Sequence, residues 1–145
     1  EVDAVLALRP SRLGDVTRRL QAVRAFAALP EAAALAAANK RIGNILKKSD
    51  GVGAAVNAAL LAEPAEQALA AAIGATVPDA DGRFEQGDYT ASLQTLAVLR
   101  APVDAFFDDV MVNAEQLDVR MNRLGLLKML HNAMNRVADL SRLAA

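Results

Sequence analysis

A run of hydrogen-bond donors between positions 40 and 48 is the clearest place in the sequence for chemistry. Its members are Lys40, Arg41, Asn44, Lys47 and Lys48. At about 100° per residue, a helix places these side chains on one face, opposite the apolar residues of the same segment. Ammonium and guanidinium groups suit phosphate oxygens, and an amide can read a base edge. The segment is therefore a candidate RNA-binding face. The alternative is a solvated face whose lysines favour the negative end of the helix dipole.

A second set of polar residues lies in the last third of the chain. The helical pattern places Arg123 inside an apolar face, where a guanidinium requires a partner. Asp104 and Asp108, one turn apart on the preceding predicted helix, are the expected partners, which would make all three residues structural ion pairs. Arg120 lies on the edge of that face. Arg120 and Asn122 are candidate RNA contacts or, alternatively, solvated side chains.

Two adjacent phenylalanines could add a stacking surface. Phe106 and Phe107 cannot both face the same side of a helix, so one is expected in the core. The other could stack on an unpaired base, or both could pack against neighbouring helices. His131, the single histidine, is expected to be a packed or surface residue. No nucleophile–base set accompanies carboxylates such as Asp104 and Asp108, so we predict no catalytic residue.

Composition narrows the class of protein. The chain has 145 residues, 54% hydrophobic but only 3% aromatic, which favours closely packed helices over a β-sandwich. It contains no cysteine and one histidine, so we predict no disulfide and no metal site. No apolar run approaches the ~20 residues that span a bilayer, and the first residues lack the pattern of a signal peptide. The net charge of −1 still permits a local basic face.

Helical periodicity covers nearly the whole chain and predicts an all-α bundle of six to eight helices in a single domain over residues 1–145. A break or kink is expected at Pro78, and Gly87 followed by Asp88 predicts a helix stop and a cap. Because the first residues already look helical and no initiator Met is present, we expect a fragment of a longer polypeptide. The predicted helices cover residues 2–8, 12–29, 31–48, 54–61, a segment opening at 63–64, 89–99, 102–112 and 113–138, the last capped by Asn113 with Gln116 in a capping box.

Three runs carry a resemblance to a known family. They are AANKRIGNIL at Ala37–Leu46, PVDAFFDDVMV at Pro102–Val112, and RMNRL at Arg120–Leu124 together with VADLS at Val137–Ser141. In this order they resemble the C-terminal anticodon-binding domain, of the DALR type, of the bacterial glycyl-tRNA synthetase β subunits.

This resemblance implies an all-α domain that recognises the anticodon stem-loop of glycine tRNA. It implies partnership with an α subunit and the rest of a β subunit in an α2β2 complex in the cytoplasm. The α subunit would hold the ligase active site and use ATP and Mg, whereas this chain would need no cofactor, metal or membrane. The alternative from another class is a helical subunit-interaction domain without direct base readout, which the near-neutral charge also fits. Catalysis by the chain itself is the weakest hypothesis.

Overall fold

The computed structural model describes Val2 and residues 13–48, 56–112 and 116–143. It contains helices and no strand within these ranges, which confirms the all-α prediction. The α-helices are α1 (Leu13–Ala27), α2 (Ala32–Lys47), α3 (Pro64–Glu85), α4 (Tyr89–Leu96), α5 (Arg100–Asp109) and α6 (Leu117–Met134). Short 3-10 turns occupy Ala58–Leu60, Ala97–Leu99 and Leu140–Leu143.

The predicted number of helices is slightly too high. Helices α4 and α5 are joined by a 3-10 turn with no intervening loop, so the described chain forms five separate helical units. Of the helix expected over 54–61, the described part holds only the turn Ala58–Leu60. The helix expected over 2–8 lies, except for Val2, outside the described residues.

The packing places α2 next to the end of the chain. Helix α2 contacts α5, α6 and the turn Leu140–Leu143, while α4 packs on α1 and α3. The buried residues of α2 form a stripe that includes Leu35, Ala38 and Ile42 of the apolar face expected from the sequence, and also Asn39. Because this stripe faces the core, the opposite side of α2 is left at the surface. The largest fully buried side chains of the described core are Phe26, Phe106, Leu35, Ile42, Leu69, Ile73, Leu93, Leu99, Leu126, Leu127, Leu130 and Met134.

The stop and cap predicted at Gly87 and Asp88 are both present. Gly87 has a φ of 81°, a left-handed conformation that glycine adopts without strain. The N–H of Asp88 donates to the Arg83 carbonyl at 3.0 Å, which closes the end of α3 in the manner of a Schellman motif. The Asp88 carboxylate then accepts from the Ala91 N–H at 3.0 Å and caps α4.

The break expected at Pro78 is wrong, because α3 continues through this residue to Glu85. Proline removes one helical hydrogen bond, the one that would reach the carbonyl four residues earlier, at Gly74. Both Pro78 and Gly74 are exposed, so water can reach the carbonyl that loses its partner. The helix therefore tolerates the proline on its solvent side.

The last helix is shorter than predicted at both ends. It begins at Leu117 with Gln116 as the N-cap, and the Gln116 side chain makes no capping hydrogen bond. Asn113, the predicted cap, lies outside the described residues. At the other end the helix stops at Met134 rather than Ala138. The Asn135 amide donates to the His131 carbonyl at 2.7 Å and its oxygen accepts from the Leu140 N–H at 3.1 Å. This side chain supplies local bonds that compete with the next turn of helix.

Candidate nucleic-acid interface

The donor residues of α2 and of its C-cap, Lys48, are all at the surface. Lys40, Arg41, Asn44, Lys47 and Lys48 are each exposed. The helix has a buried stripe on its other side, so their common face follows from the alternation of apolar and polar residues along α2. Four of the five carry a positive charge. The face is therefore suited to an anionic partner.

This face borders a groove of about 650 Å³ that runs between α2, α6 and the end of the chain. Volumes of about 300–1,000 Å³ are typical of sites that hold small ligands. The wall formed by α2 includes Lys40, Asn44 and Lys47, and the opposite wall includes His131, Asn135, Asp139 and Ser141. Basic side chains thus line one side of the groove and mostly neutral polar groups the other.

A reciprocal amide pair holds the two walls together. The Asn39 amide donates to the Asn135 side-chain oxygen at 2.8 Å, and the Asn135 amide donates back to Asn39 at 2.9 Å. Asn39 is fully buried. Since both side chains use their donors and acceptors on each other, they fix the spacing between α2 and the end of α6.

Asp139, the one carboxylate that lines the groove, bonds to residues of its own turn. Asp139 accepts from the Ser141 N–H at 3.1 Å and from the Ser141 hydroxyl at 2.5 Å. Its other oxygen lies 3.4 Å from Arg142 Nε. These contacts satisfy its oxygens within its own turn, while Asp139 keeps its negative charge beside the groove.

His131 projects from α6 into this groove. Its side chain is half-buried, and this burial lowers its pKa below the usual 6.5, while the charge of Asp139 acts in the opposite direction. At neutral pH the imidazole is therefore predominantly uncharged, with one ring nitrogen as donor and the other as acceptor. A Cβ placed at Gly43 would lie 3.5 Å from His131 Nε2, so the ring packs closely against α2.

The three polar residues predicted at the start of α6 have different surroundings. Arg120 is half-buried on the first turns of the helix. Asn122 is only 4% exposed, accepts from the Asn57 N–H at 2.6 Å and donates to the Asn57 carbonyl at 3.2 Å. The candidate role of Asn122 in RNA contact is therefore wrong, because its amide is buried and committed to the backbone of a neighbouring segment.

Arg123 is buried and paired, but with a different partner from the one predicted. Its Nη2 donates to Glu66 Oε1 at 2.8 Å and its Nη1 donates to the Met111 carbonyl. Asp104 instead pairs with Arg100 of its own helix at 3.5 Å, where both side chains are about half exposed. Asp108 is exposed and forms no ion pair with the described residues. The predicted pairing of Arg123 with Asp104 or Asp108 is wrong, because the carboxylate that reaches it belongs to α3.

The two phenylalanines also differ in burial. Phe106 is fully buried and Phe107 is half-buried. The Arg41 guanidinium lies 4.3 Å from the centroid of the Phe107 ring, within cation–π range. In this arrangement Arg41 covers the ring that would otherwise be available for stacking.

The wall opposite α2 contains the residues that sequence reasoning missed as site residues. His131, Asn135 and Asp139 follow one another at a spacing of four, which is also typical of one face of a longer helix. Because α6 ends at Met134, Asp139 and Ser141 lie on the wall that faces α2. The sequence pattern did not predict this helix end. Among the described residues, no group of three or more His, Asp or Glu side chains could hold a metal ion, and no helix is both long and apolar enough to cross a membrane.

Comparison with known proteins shows the family of the chain. The chain is similar to the glycine–tRNA ligase β subunit of Leptothrix cholodnii, with 75% identity over 146 aligned positions that cover 100% of the chain and 20% of that protein. The β subunits of Paracidovorax citrulli and Methylobacillus flagellatus are 73% and 66% identical over 99% and 100% of the chain. The chain spans about a fifth of the length of these curated relatives. A family model described as the DALR anticodon binding domain matches residues 35–140, and the chain belongs to this family.

Proposed function

We propose that this domain binds the anticodon stem-loop of glycine tRNA through the exposed face of α2 and the groove beside it. The observation that carries the proposal is the match to an anticodon-binding family over residues 35–140, which include that whole face. Lys40, Lys47 and Lys48 would contact phosphates, and Asn44 a base edge.

The relatives suggest the wider setting. In this proposal residues 1–145 form one anticodon-binding domain of a glycine–tRNA ligase β subunit, in a cytoplasmic α2β2 complex. An α subunit would attach glycine to the tRNA with ATP and Mg, while this domain would select the tRNA and use no cofactor. The support is the similarity of the whole chain to about a fifth of these β subunits, at 66% to 75% identity.

Binding of the chain to three RNAs tests this proposal. Fluorescence anisotropy would compare glycine tRNA, the same tRNA with a substituted anticodon, and an unrelated tRNA, at one fixed salt concentration. We expect the first to bind at least tenfold more tightly than the other two. Equal affinities for all three would show that the domain does not read the anticodon.

A pair of charge-matched variants tests the surface. Lys40→Ala with Lys47→Ala should weaken binding about tenfold, since an ion pair between exposed groups contributes up to about 1 kcal/mol. The control, Arg83→Ala with Arg100→Ala, removes the same charge from side chains that pair with carboxylates of their own helices and do not line the groove. Equal losses of affinity in both variants would show that binding depends on net charge and not on this surface.

One observation favours a second candidate, a helical subunit-interaction domain. Met111 is 70% exposed and Leu117 is 61% exposed, on either side of positions 113–115. A contiguous apolar patch at a surface marks contacts with other proteins, and this second candidate holds that the two side chains form one. In that case Met111→Ser with Leu117→Ser would weaken assembly with the rest of the ligase and leave the affinity for tRNA unchanged.

A further inference from the structure

We propose that the groove receives one unstacked anticodon base, whose edge is read by His131 together with Asn44 while Lys40 and Lys47 hold the adjacent phosphates. This inference rests on the proposed function and adds a base-reading role for His131, a residue that the sequence pattern indicates only as packed or surface.

The first argument is which groups in the groove remain available. Asn39 and Asn135 hydrogen-bond to each other, and Asp139 accepts from Ser141 and pairs with Arg142. Within the described ranges, the side chains of Asn44 and His131 make no hydrogen bond. They supply donors and acceptors from opposite walls of the same groove.

The second argument is the distribution of charge. Lys40 and Lys47 are exposed on α2, and Asn44 lies between them on the same face. The opposite wall carries Asp139, which disfavours a phosphate there. An RNA strand would therefore keep its phosphates along α2 and direct a base toward α6.

The third argument is the state of the imidazole. Burial lowers the pKa of His131, so that its ring is predominantly neutral at pH 7 and offers one donor and one acceptor. Base edges present such donors and acceptors side by side. The Asn39–Asn135 pair fixes the wall from which the ring projects, so that little reorganisation is needed when RNA binds.

Discrimination between anticodons tests the inference. His131→Phe retains a ring without hydrogen-bonding groups, and Asn44→Ala removes the amide. Each should reduce the preference for glycine tRNA over its anticodon-substituted form about tenfold, and change the affinity for the substituted form less than twofold. The matched control is Asn132→Ala, at the exposed neighbouring position of α6, which should keep the wild-type preference. Thermal melts would confirm that every variant is folded.

The single histidine provides a direct readout. In a ¹H–¹³C NMR spectrum its ring gives one set of signals, which should shift on addition of the glycine anticodon stem-loop and not with an anticodon-substituted stem-loop. If the wild-type chain discriminates between anticodons while His131→Phe retains that preference and the ring signals stay unmoved, the groove assignment is overturned and the proposed function stands. If the wild-type chain shows no preference among tRNAs, both are overturned.

Discussion

Arg123 Nη2 donates to Glu66 Oε1 at 2.8 Å in the interior, which ties α6 to the first turn of α3. Glu66 is fully buried, and the same oxygen accepts from the Glu63 N–H at 3.1 Å in a capping box. The other arm of the guanidinium donates to the Met111 carbonyl. One side chain thus joins α6, the start of α3 and the segment after α5.

Arg123→Ala is predicted to destabilise the fold strongly. The substitution leaves the Glu66 carboxylate buried without its cation, and breaking a buried pair from one side costs about 3–5 kcal/mol. This is a large share of the ~5–15 kcal/mol that stabilises a domain. A urea titration of wild type and variant measures the loss in the free energy of unfolding.

Two further variants separate the buried pair from a surface pair. Arg123→Met with Glu66→Gln should recover part of the loss, because no unpaired charge then remains inside. Arg100→Ala removes a half-exposed partner of Asp104 and should cost at most about 1 kcal/mol. An Arg123→Ala protein as stable as Arg100→Ala would refute the structural role of Arg123.

This pair also shows what the sequence could predict and what it could not. Arg123 falls inside an apolar helical face, so its burial and its need for a partner follow from periodicity. The partner does not, because Glu66 lies 57 positions earlier in the chain and periodicity gives the face of a helix but not its neighbour. The nearer candidate, Asp104, has a cation one turn away in Arg100.

Asn122→Ala is predicted to affect folding rather than RNA binding. The amide accepts from the Asn57 N–H at 2.6 Å and donates to its carbonyl at 3.2 Å. Removing a buried partner of this kind costs about 1–3 kcal/mol. A thermal melt should show the loss, while the affinity for glycine tRNA, measured well below the melting temperature, should be unchanged. If the variant is as stable as wild type but binds RNA more weakly, Asn122 contacts RNA.

Local signals were sufficient where short-range chemistry decides the structure. Gly87 and Asp88 form the predicted stop and cap because the left-handed φ and the capping carboxylate both act within a few residues. The end of α6 was not predictable in the same way. It depends on Asn135, which bonds both to its own helix and to Asn39 of α2, and the second contact exists only in the folded chain.

Alanine at two neighbouring glycines should have opposite effects on stability. Gly82→Ala places a Cβ within α3 where it would meet nothing within 4 Å, and should stabilise by up to about 1 kcal/mol because alanine favours helix. Gly87→Ala requires a left-handed backbone at φ 81°, and its Cβ would lie 2.9 Å from Arg18 Nη1. It should destabilise by about 1–2 kcal/mol. Urea titrations of both variants check the signs, and a neutral Gly87→Ala would contradict the assignment of strain.

RNA binding is predicted to depend moderately on salt. Four basic side chains lie on the exposed face of α2, and each phosphate of single-stranded RNA that they neutralise adds about −0.7 to the slope of log K against log salt. The slope should therefore be near −3 on this estimate. Titrations from 50 to 200 mM KCl with glycine tRNA measure it. An affinity that does not change across this range would exclude phosphate contacts by α2.

The free energy of unfolding should depend on pH through His131. In the folded chain the pKa of His131 is lower than the usual 6.5, because burial outweighs the opposing charge of Asp139. The charged side chains of Lys40 and Lys47 also line the groove that His131 faces. As pH falls below about 6.5, the unfolded chain binds this proton first. The free energy of unfolding is therefore highest above that pH and declines as pH falls until the lowered folded pKa is reached, by at most about 1.4 kcal/mol per pH unit.

Urea titrations between pH 7.5 and 5.5 on wild type and His131→Gln isolate this contribution from that of the carboxylates. The difference between the two proteins should shift in favour of the variant as pH falls, and a constant difference would show that the imidazole is not held in its neutral form.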